Sequence, residues 1–201
     1  KSGALAQTMS VSNDIAEGLM QTLIASDWAK GGMDAGIRLT RRGQERAEEL
    51  IRAHRLWERY LVERRGLLLE AVHTEAEHLE HETTPEKAAE LDAELGYPAW
   101  DPHGDIIPDA GHPVPPAAGT PLPAYTQGER LRIVRVRNEP PALFAQLVAM
   151  GLKPGVEVQV VESQPDRLSI KVDGDIHPLA AVAAESIHAV PVPVISLPLS
   201  E

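Results

Sequence analysis

The sequence predicts an α+β protein with a helical first half and a β-rich second half. Apolar residues recur at helical spacing up to about residue 97. Residues 98–123 then hold eight of the 17 prolines, and proline favours irregular structure because it fixes φ and lacks an amide donor. After residue 124 the pattern changes to short runs rich in valine and isoleucine, which favour strands. A Pro-rich linker is therefore expected between two halves of different secondary structure.

The helical half is expected to contain several separate helices. Gly66 would end the long one, and Thr83 or Thr84 would cap a later one that has Pro85 in its first turn. The predicted elements are two short helices within residues 3–30, a glycine-rich hairpin at 31–39, and helices at about 40–64, at about 70–82 and from 84 onwards.

The β-rich half, residues 124–193, is expected to form one small domain. Runs at 130–137 and 156–163 have strong β-propensity, and residues 173–174 (Asp-Gly) are typical of a hairpin turn. One short helix, ending at Gly151, interrupts the strands. Short strands with a single small helix predict an SH3-like barrel.

The composition excludes several classes of protein. The chain has no cysteine, which excludes disulfides, zinc fingers and iron–sulfur sites. No apolar run approaches the ~20 residues of a membrane helix and no signal peptide is visible, so a cytoplasmic protein is expected. The formal charge of −11 opposes DNA binding unless basic residues are concentrated on one face. Lys1 at the first position leaves open whether the chain is a fragment of a larger protein.

The long helix carries an ionisable pair inside its apolar stripe. The stripe is formed by Ala47, Leu50, Ile51, Leu61 and Val62. His54 and Glu58 lie one turn apart in the middle of it. Such a pair on a buried face is costly unless something compensates it, and either a bound cation or a His–Glu hydrogen bond would do so.

The next helix repeats the pattern. Within roughly 100° of its circumference fall four potential ligands, namely His73, Glu77, Glu80 and His81. A solvated acidic helix would be expected to include basic partners, yet there is no Lys or Arg between Val72 and Glu82. Stacked carboxylates repel each other, and a divalent cation relieves that repulsion. The two helices therefore predict a site for Mn²⁺, Fe²⁺, Co²⁺ or Zn²⁺, the ions suited to imidazole and carboxylate without thiolate. Six ligands also make two adjacent ions plausible.

Three segments resemble the DtxR/MntR family of metal-dependent transcriptional repressors. Residues 54–81 (HRLWERYLVERRGLLLEAVHTEAEHLEH) resemble its metal-binding and dimerisation helices. Residues 101–108 (DPHGDIIP) are similar to a loop that follows them, and residues 147–161 (LVAMGLKPGVEVQVV) resemble its FeoA, SH3-like domain. The organisation implied is a partial winged helix-turn-helix (1–46), a helical metal-binding and dimerisation region (47–97), a Pro-rich linker (98–123) and a FeoA-like β-barrel (124–193).

The resemblance also implies which residues bind metal. It gives two ligand sets, one of His54, Glu58 and His73 and the other of Glu77, Glu80 and His81. Glutamate at position 77 is typical of manganese-responsive members, so Mn²⁺ is favoured, with Fe²⁺ next and Zn²⁺ or Co²⁺ as substitutes. Some members add a polar side chain from the SH3-like domain, for which Glu139 is a candidate.

The resemblance is weaker at the DNA-reading region. Residues 11–28 would be the recognition helix and 31–40 the wing, while the family's first helix, which supplies an Asp or Met ligand, is not matched. There is no Arg or Lys between Met9 and Ala29, which opposes binding to phosphates. The candidate DNA contacts are Ser12, Asn13, Arg38, Arg41 and Arg42.

The function implied is a homodimeric, metal-dependent repressor that binds double-stranded DNA. Its dimer contact would be formed by Trp57, Tyr60, Leu61 and the helix after Thr84. The alternative is a cytosolic metal-sensing extension of a metal-transport ABC permease, since related helical and FeoA-like regions occur there too. The chain itself would not insert into the membrane. An enzyme is not expected, because no nucleophile, general base or phosphate-binding loop is recognisable.

Overall fold

The computed structural model describes residues 11–32, 36–109 and 118–193. Helix α1 (Asn13–Ala25) begins after Ser12, whose hydroxyl accepts a hydrogen bond from the amide of Ile15. A hairpin follows, formed by the antiparallel strands β1 (Ala29–Gly32) and β2 (Gly36–Leu39). The short helix predicted before α1 lies outside the described residues.

Helix α2 (Arg41–Arg65) is the long helix that the sequence predicts. Thr40 precedes it, and the Thr40 hydroxyl accepts from the amide of Gly43 and donates to the carbonyl of Asp27. Gly43 lies so close to Trp28 that a Cβ atom on it would meet the Trp28 carbonyl oxygen at 1.8 Å. The first turn of α2 therefore requires glycine.

Two shorter helices pack against α2. They are α3 (Val72–Glu80) and α4 (Pro85–Glu94), and α4 is capped by the Thr84 hydroxyl as the sequence predicts. Apolar contacts of α2 with α3 involve Leu61, Val72 and Ala76. Those with α4 and the chain after it involve Leu56, Ala88, Leu91 and Ile107.

Residues 118–193 contain a six-stranded antiparallel sheet in the order β3-β8-β4-β5-β6-β7. Its elements are β3 (Thr120–Pro121), a 3₁₀ turn (Leu122–Ala124), β4 (Arg130–Val136), α5 (Pro141–Ala149), β5 (Glu157–Ser163), β6 (Arg167–Val172), β7 (Asp175–Ala180), α6 (Ala181–Glu185) and β8 (Ile187–Pro191). Alternate residues of β4 and β5 are buried, as period-two strands require. The predicted α+β class with an SH3-like C-terminal region is confirmed.

The chain divides into two compact units, residues 1–53 with 108–114, and residues 54–107 with 115–201. Helix α2 contributes to both. The domain boundaries inferred from the sequence stay a prediction. No helix in the described ranges is long and apolar enough to cross a membrane.

The first part of the predicted linker is well packed. Trp100 and Ile106 form an isolated antiparallel bridge, and Asp101, His103 and Ile107 are buried. Residues 101–105 form a tight turn between these bridge positions, called the 101–105 loop below. Proline content alone did not reveal this packing.

Candidate metal centre

The centre is assembled by two helices and one loop. Helix α2 presents His54 and Glu58 on one face because residues four apart in a helix lie one above the other. Helix α3 brings His73 and Glu80 to the same place. Glu58 is the innermost of these side chains, with 1% of its surface exposed.

One oxygen of Glu58 lies between two imidazoles. Its Oε1 is 3.0 Å from His54 Nε2 and 3.1 Å from His73 Nδ1, and these two nitrogens are 3.0 Å apart. His54 Nδ1 is 2.6 Å from Glu80 Oε2. Donor atoms of His54, Glu58 and His73 all lie within 4.8 Å of one another, which is close enough to hold one ion.

The other oxygen of Glu58 faces the 101–105 loop. Glu58 Oε2 is 3.2 Å from His103 Nδ1, which is 4.0 Å from Asp101 Oδ2. All three side chains are buried, and their donor atoms also lie within 4.8 Å of one another. Glu58 is thus common to two candidate ligand groups.

The loop keeps its shape through hydrogen bonds to Asp101. The amides of His103 and Asp105 both donate to Asp101 Oδ1 at 2.8 Å. These bonds use one oxygen of Asp101, and the second is the one that faces His103. Within the described residues, Nε2 of His103 has no hydrogen-bond partner, and the ring packs edge-on against Phe144.

The pKa values of the site reflect burial opposed by close charges. Burial pushes the pKa of Glu58 upward, but hydrogen bonds from three imidazoles outweigh it and hold that pKa far below its usual range. Burial lowers the pKa of His54 and of His103, yet their hydrogen bonds with Glu58 raise both above the ordinary value. Burial and the charge of Glu58 raise the pKa of Asp101 to about 7.

The second predicted ligand set is not gathered in this structure. The Glu77 side chain is 57% exposed, with Oε1 3.8 Å from His73 Nε2. The His81 side chain is 68% exposed, with Nε2 3.6 Å from Glu80 Oε1. Glu80 instead turns towards His54, so its contacts belong to the first set.

Three further side chains were not selected from the sequence. Asp101 and His103 lie in the stretch predicted as a linker, although the DPHGDIIP motif was already noted as similar to a family loop. Asn138, which follows β4, has its Nδ2 3.2 Å from His73 Nδ1. Glu139, the residue proposed for this role, is exposed.

The candidate DNA contacts all lie at the surface, and the exposed Ser12 also caps α1 through its hydroxyl. Asn13, Arg38 and Arg42 are exposed, and Arg41 pairs with Glu45 at 2.9 Å. Beside them on α1, Ile15 and Leu19 are exposed apolar residues.

Comparison with known proteins gives the family. A model described as the iron dependent repressor, metal binding and dimerisation domain, matches residues 40–109, and a FeoA domain model matches residues 120–191. The iron-dependent repressor IdeR of Mycobacterium leprae is 32% identical over 169 residues, covering 78% of this chain and 72% of that protein. The chain belongs to the DtxR/MntR family. The family is one of transcriptional regulators, so the resemblance stated from the sequence is confirmed.

This DtxR/MntR-family chain is also similar to a solved repressor and to part of a membrane protein. A solved manganese-dependent transcriptional repressor in complex with manganese matches with a TM-score of 0.83 and 29% identity, over 96% of this chain and 90% of that one. A probable metal transport system membrane protein of Chlamydia trachomatis serovar D is 46% identical over 70 residues, or 35% of this chain. The chain spans only 16% of the length of that membrane protein.

Proposed function

We propose that this chain is a metal-responsive regulator in which a divalent cation at the Glu58 cluster controls repression through DNA. The observation that carries the proposal is the position of Glu58. Its carboxylate is buried and is surrounded by imidazoles from α2, α3 and the 101–105 loop. An ionised carboxylate is costly in such a place unless positive charge compensates it, and a bound divalent cation would supply such charge.

The donor set fits a first-row divalent ion. Imidazole and carboxylate without thiolate suit Mn²⁺ and Fe²⁺, and Zn²⁺ or Co²⁺ as substitutes. The residues that would hold the ion are His54, Glu58 and His73, with Asp101 and His103 on the other side of Glu58. Glu77, Glu80 and His81 would serve a second ion once their side chains rotate together. The match to a repressor solved with manganese supports Mn²⁺ as the first choice.

Metal would act by population shift. It stabilises whichever arrangement of its ligand-bearing elements it binds better, by the difference in affinity. In a homodimer this would set the spacing of two α1 helices along double-stranded DNA. Trp57 and Leu61 pack within the chain here, so the dimer contact remains part of the proposal.

A mobility-shift assay tests the repressor function. The probe is duplex DNA from the promoter of the protein's own gene, incubated with the full chain with and without Mn²⁺. We expect a shift only with Mn²⁺, and its loss on chelation. A shift that is indifferent to metal would contradict metal control.

A second candidate function is supported by the chlamydial relative. In that function the same site would report cytoplasmic metal to a transport protein of which this chain is an extension. Metal binding without any metal-dependent DNA shift would favour this second function, and absence of metal binding would contradict both.

A further inference from the structure

The 101–105 loop is held from the helical side by Arg55 of α2. Its guanidinium lies 3.8 Å from Asp101 Oδ2 and 3.6 Å from Asp105 Oδ1, and it donates to the carbonyl of Ile106. One cation thus faces two loop carboxylates. Asp101 lies beside Glu58, and the charge of Glu58 already raises the pKa of Asp101.

Strand β4 holds the same loop from the other side. Arg135 Nε donates to Asp105 Oδ1 at 2.7 Å, and the amide of Val136 donates to the carbonyl of His103 at 2.9 Å. The Arg135 and Asp105 side chains are both largely buried, so water screens this ion pair only weakly. The guanidinium of Arg135 is therefore a second positive charge at the loop, supplied by the β-rich half of the chain.

Arg135 determines which loop carboxylate the guanidinium of Arg55 neutralises. With Arg135 in place, Asp105 is neutralised and Arg55 remains available to Asp101. Without it, Asp105 would compete for Arg55, and Asp101 would lose both its counter-charge and its fixed orientation. Asp105 also donates its amide to Asp101, so displacement of Asp105 moves the carboxylate beside His103 directly.

We propose that Arg135 is a positioning residue for metal binding, which acts through Asp105 to aim Asp101 and His103 at Glu58. This inference rests on the proposed metal function of the Glu58 cluster. Arg135 has no described contact with a candidate ligand; it acts on the ligands through the loop. Groups that hydrogen-bond directly to metal ligands typically change metal affinity 10–100-fold when removed, and Arg135, which lies one residue further away, is expected near the lower end of that range.

The test is Mn²⁺ affinity, measured by calorimetric titration of the full chain. Arg135→Gln is expected to weaken binding about 10-fold or more, and Arg135→Lys to recover part of the loss. The matched control is Arg132→Gln, because Arg132 lies on the same strand but pairs with Glu157 at the surface. The control is expected to bind Mn²⁺ as the wild type does.

A double-mutant cycle separates positioning from general stability. In an Asp105→Asn background Arg135→Gln should cost little more, because Arg135 acts through the charge of Asp105 and no carboxylate is left there to compete for Arg55. Additive losses would overturn the inference. So would wild-type affinity in Arg135→Gln, while the proposed function would stand.

Two further outcomes would also overturn the inference. If Arg135→Gln and Asp105→Asn both lose their cooperative thermal unfolding transition, the ion pair is needed for folding and the positioning role is overturned. A wild-type chain that binds no Mn²⁺ overturns the proposed function together with the inference.

Discussion

Glu58 lies in the apolar stripe of α2, and its two oxygens face different groups of ligands. The helical spacing of the sequence predicts the pair with His54, and the neighbouring stripe predicts His73. Helical periodicity reports which side chains share a face of one helix. It does not report which loop covers that face, and for this reason Asp101 and His103 were missed.

The pKa shifts at these residues predict how the stability of the metal-free protein depends on pH. The raised pKa values of His54 and His103 stabilise the fold below about pH 6.5, and that contribution is lost as pH rises through the raised values. Asp101, raised from 3.8 to about 7, adds a loss of stability as pH rises between those two values. The lowered pKa of Glu58 has the opposite sign, but it acts only as pH falls below about 4.5.

The thermal unfolding temperature of the metal-free protein is therefore expected to fall as pH rises from about 4.5 through about 7, and the two histidines add to the fall above about pH 6.5. Over the same range Mn²⁺ affinity should rise, because the imidazoles and Asp101 must lose their protons to bind metal. Differential scanning calorimetry and Mn²⁺ titration across this range check both trends. If stability and affinity move in the same direction with pH, the assigned shifts are wrong.

At the scale of elements, the helices were predicted well and the loop was not. Long periodic stretches such as α2, and caps such as Thr84, leave clear local signals. The 101–105 loop is ordered instead by Arg55 and by β4, which lies about 30 residues later in the chain. Contacts at that separation leave no periodic pattern, so proline content favoured a linker. The fold type of the SH3-like half was predicted correctly, because strands with alternating apolar residues and the turns between them leave local signals in the sequence.

Gly104 gives a direct test of the loop against β4. Its φ is +90°, and a Cβ on it would meet the Val134 carbonyl oxygen at 1.9 Å. Gly104→Ala is expected to cost ~1–2 kcal/mol for the backbone conformation and a further ~1–3 kcal/mol for the overlap. Urea denaturation of the metal-free chain measures the sum.

Gly128→Ala is the matched control. Gly128 has a φ of +94°, but a Cβ on it would meet nothing within 4 Å. It should therefore show the backbone cost alone. Equal destabilisation by the two substitutions would mean that the loop does not pack on β4 as described.

At the scale of the whole molecule, the net charge of −11 must be reconciled with DNA binding. The proposed contacts at Arg38, Arg41 and Arg42 are exposed and lie at β2 and the start of α2, whereas α1 exposes Ile15 and Leu19. Positive charge concentrated at β2 and the start of α2 can hold phosphates without reading bases. Affinity would then depend strongly on salt.

Replacing Arg41 and Arg42 by alanine is expected to weaken metal-dependent DNA binding and to reduce the slope of log affinity against log salt by about one to two. Fluorescence anisotropy at several salt concentrations measures the slope. Arg130→Ala with Arg132→Ala, which removes an exposed pair from β4 instead, should leave it unchanged. An unchanged slope in the Arg41 and Arg42 variant would place the DNA contact elsewhere.

Calorimetric titration of Mn²⁺ into the full chain and its Glu58→Gln variant measures whether the metal binds at Glu58. Glutamine preserves the volume of the side chain but removes the charge that both ligand groups share, so the affinity should fall at least about 100-fold. Glu75→Gln, an exposed position on the same helix as His73, should bind as the wild type does. Equal Mn²⁺ affinity in the wild type and Glu58→Gln would contradict the assignment of the metal to this cluster.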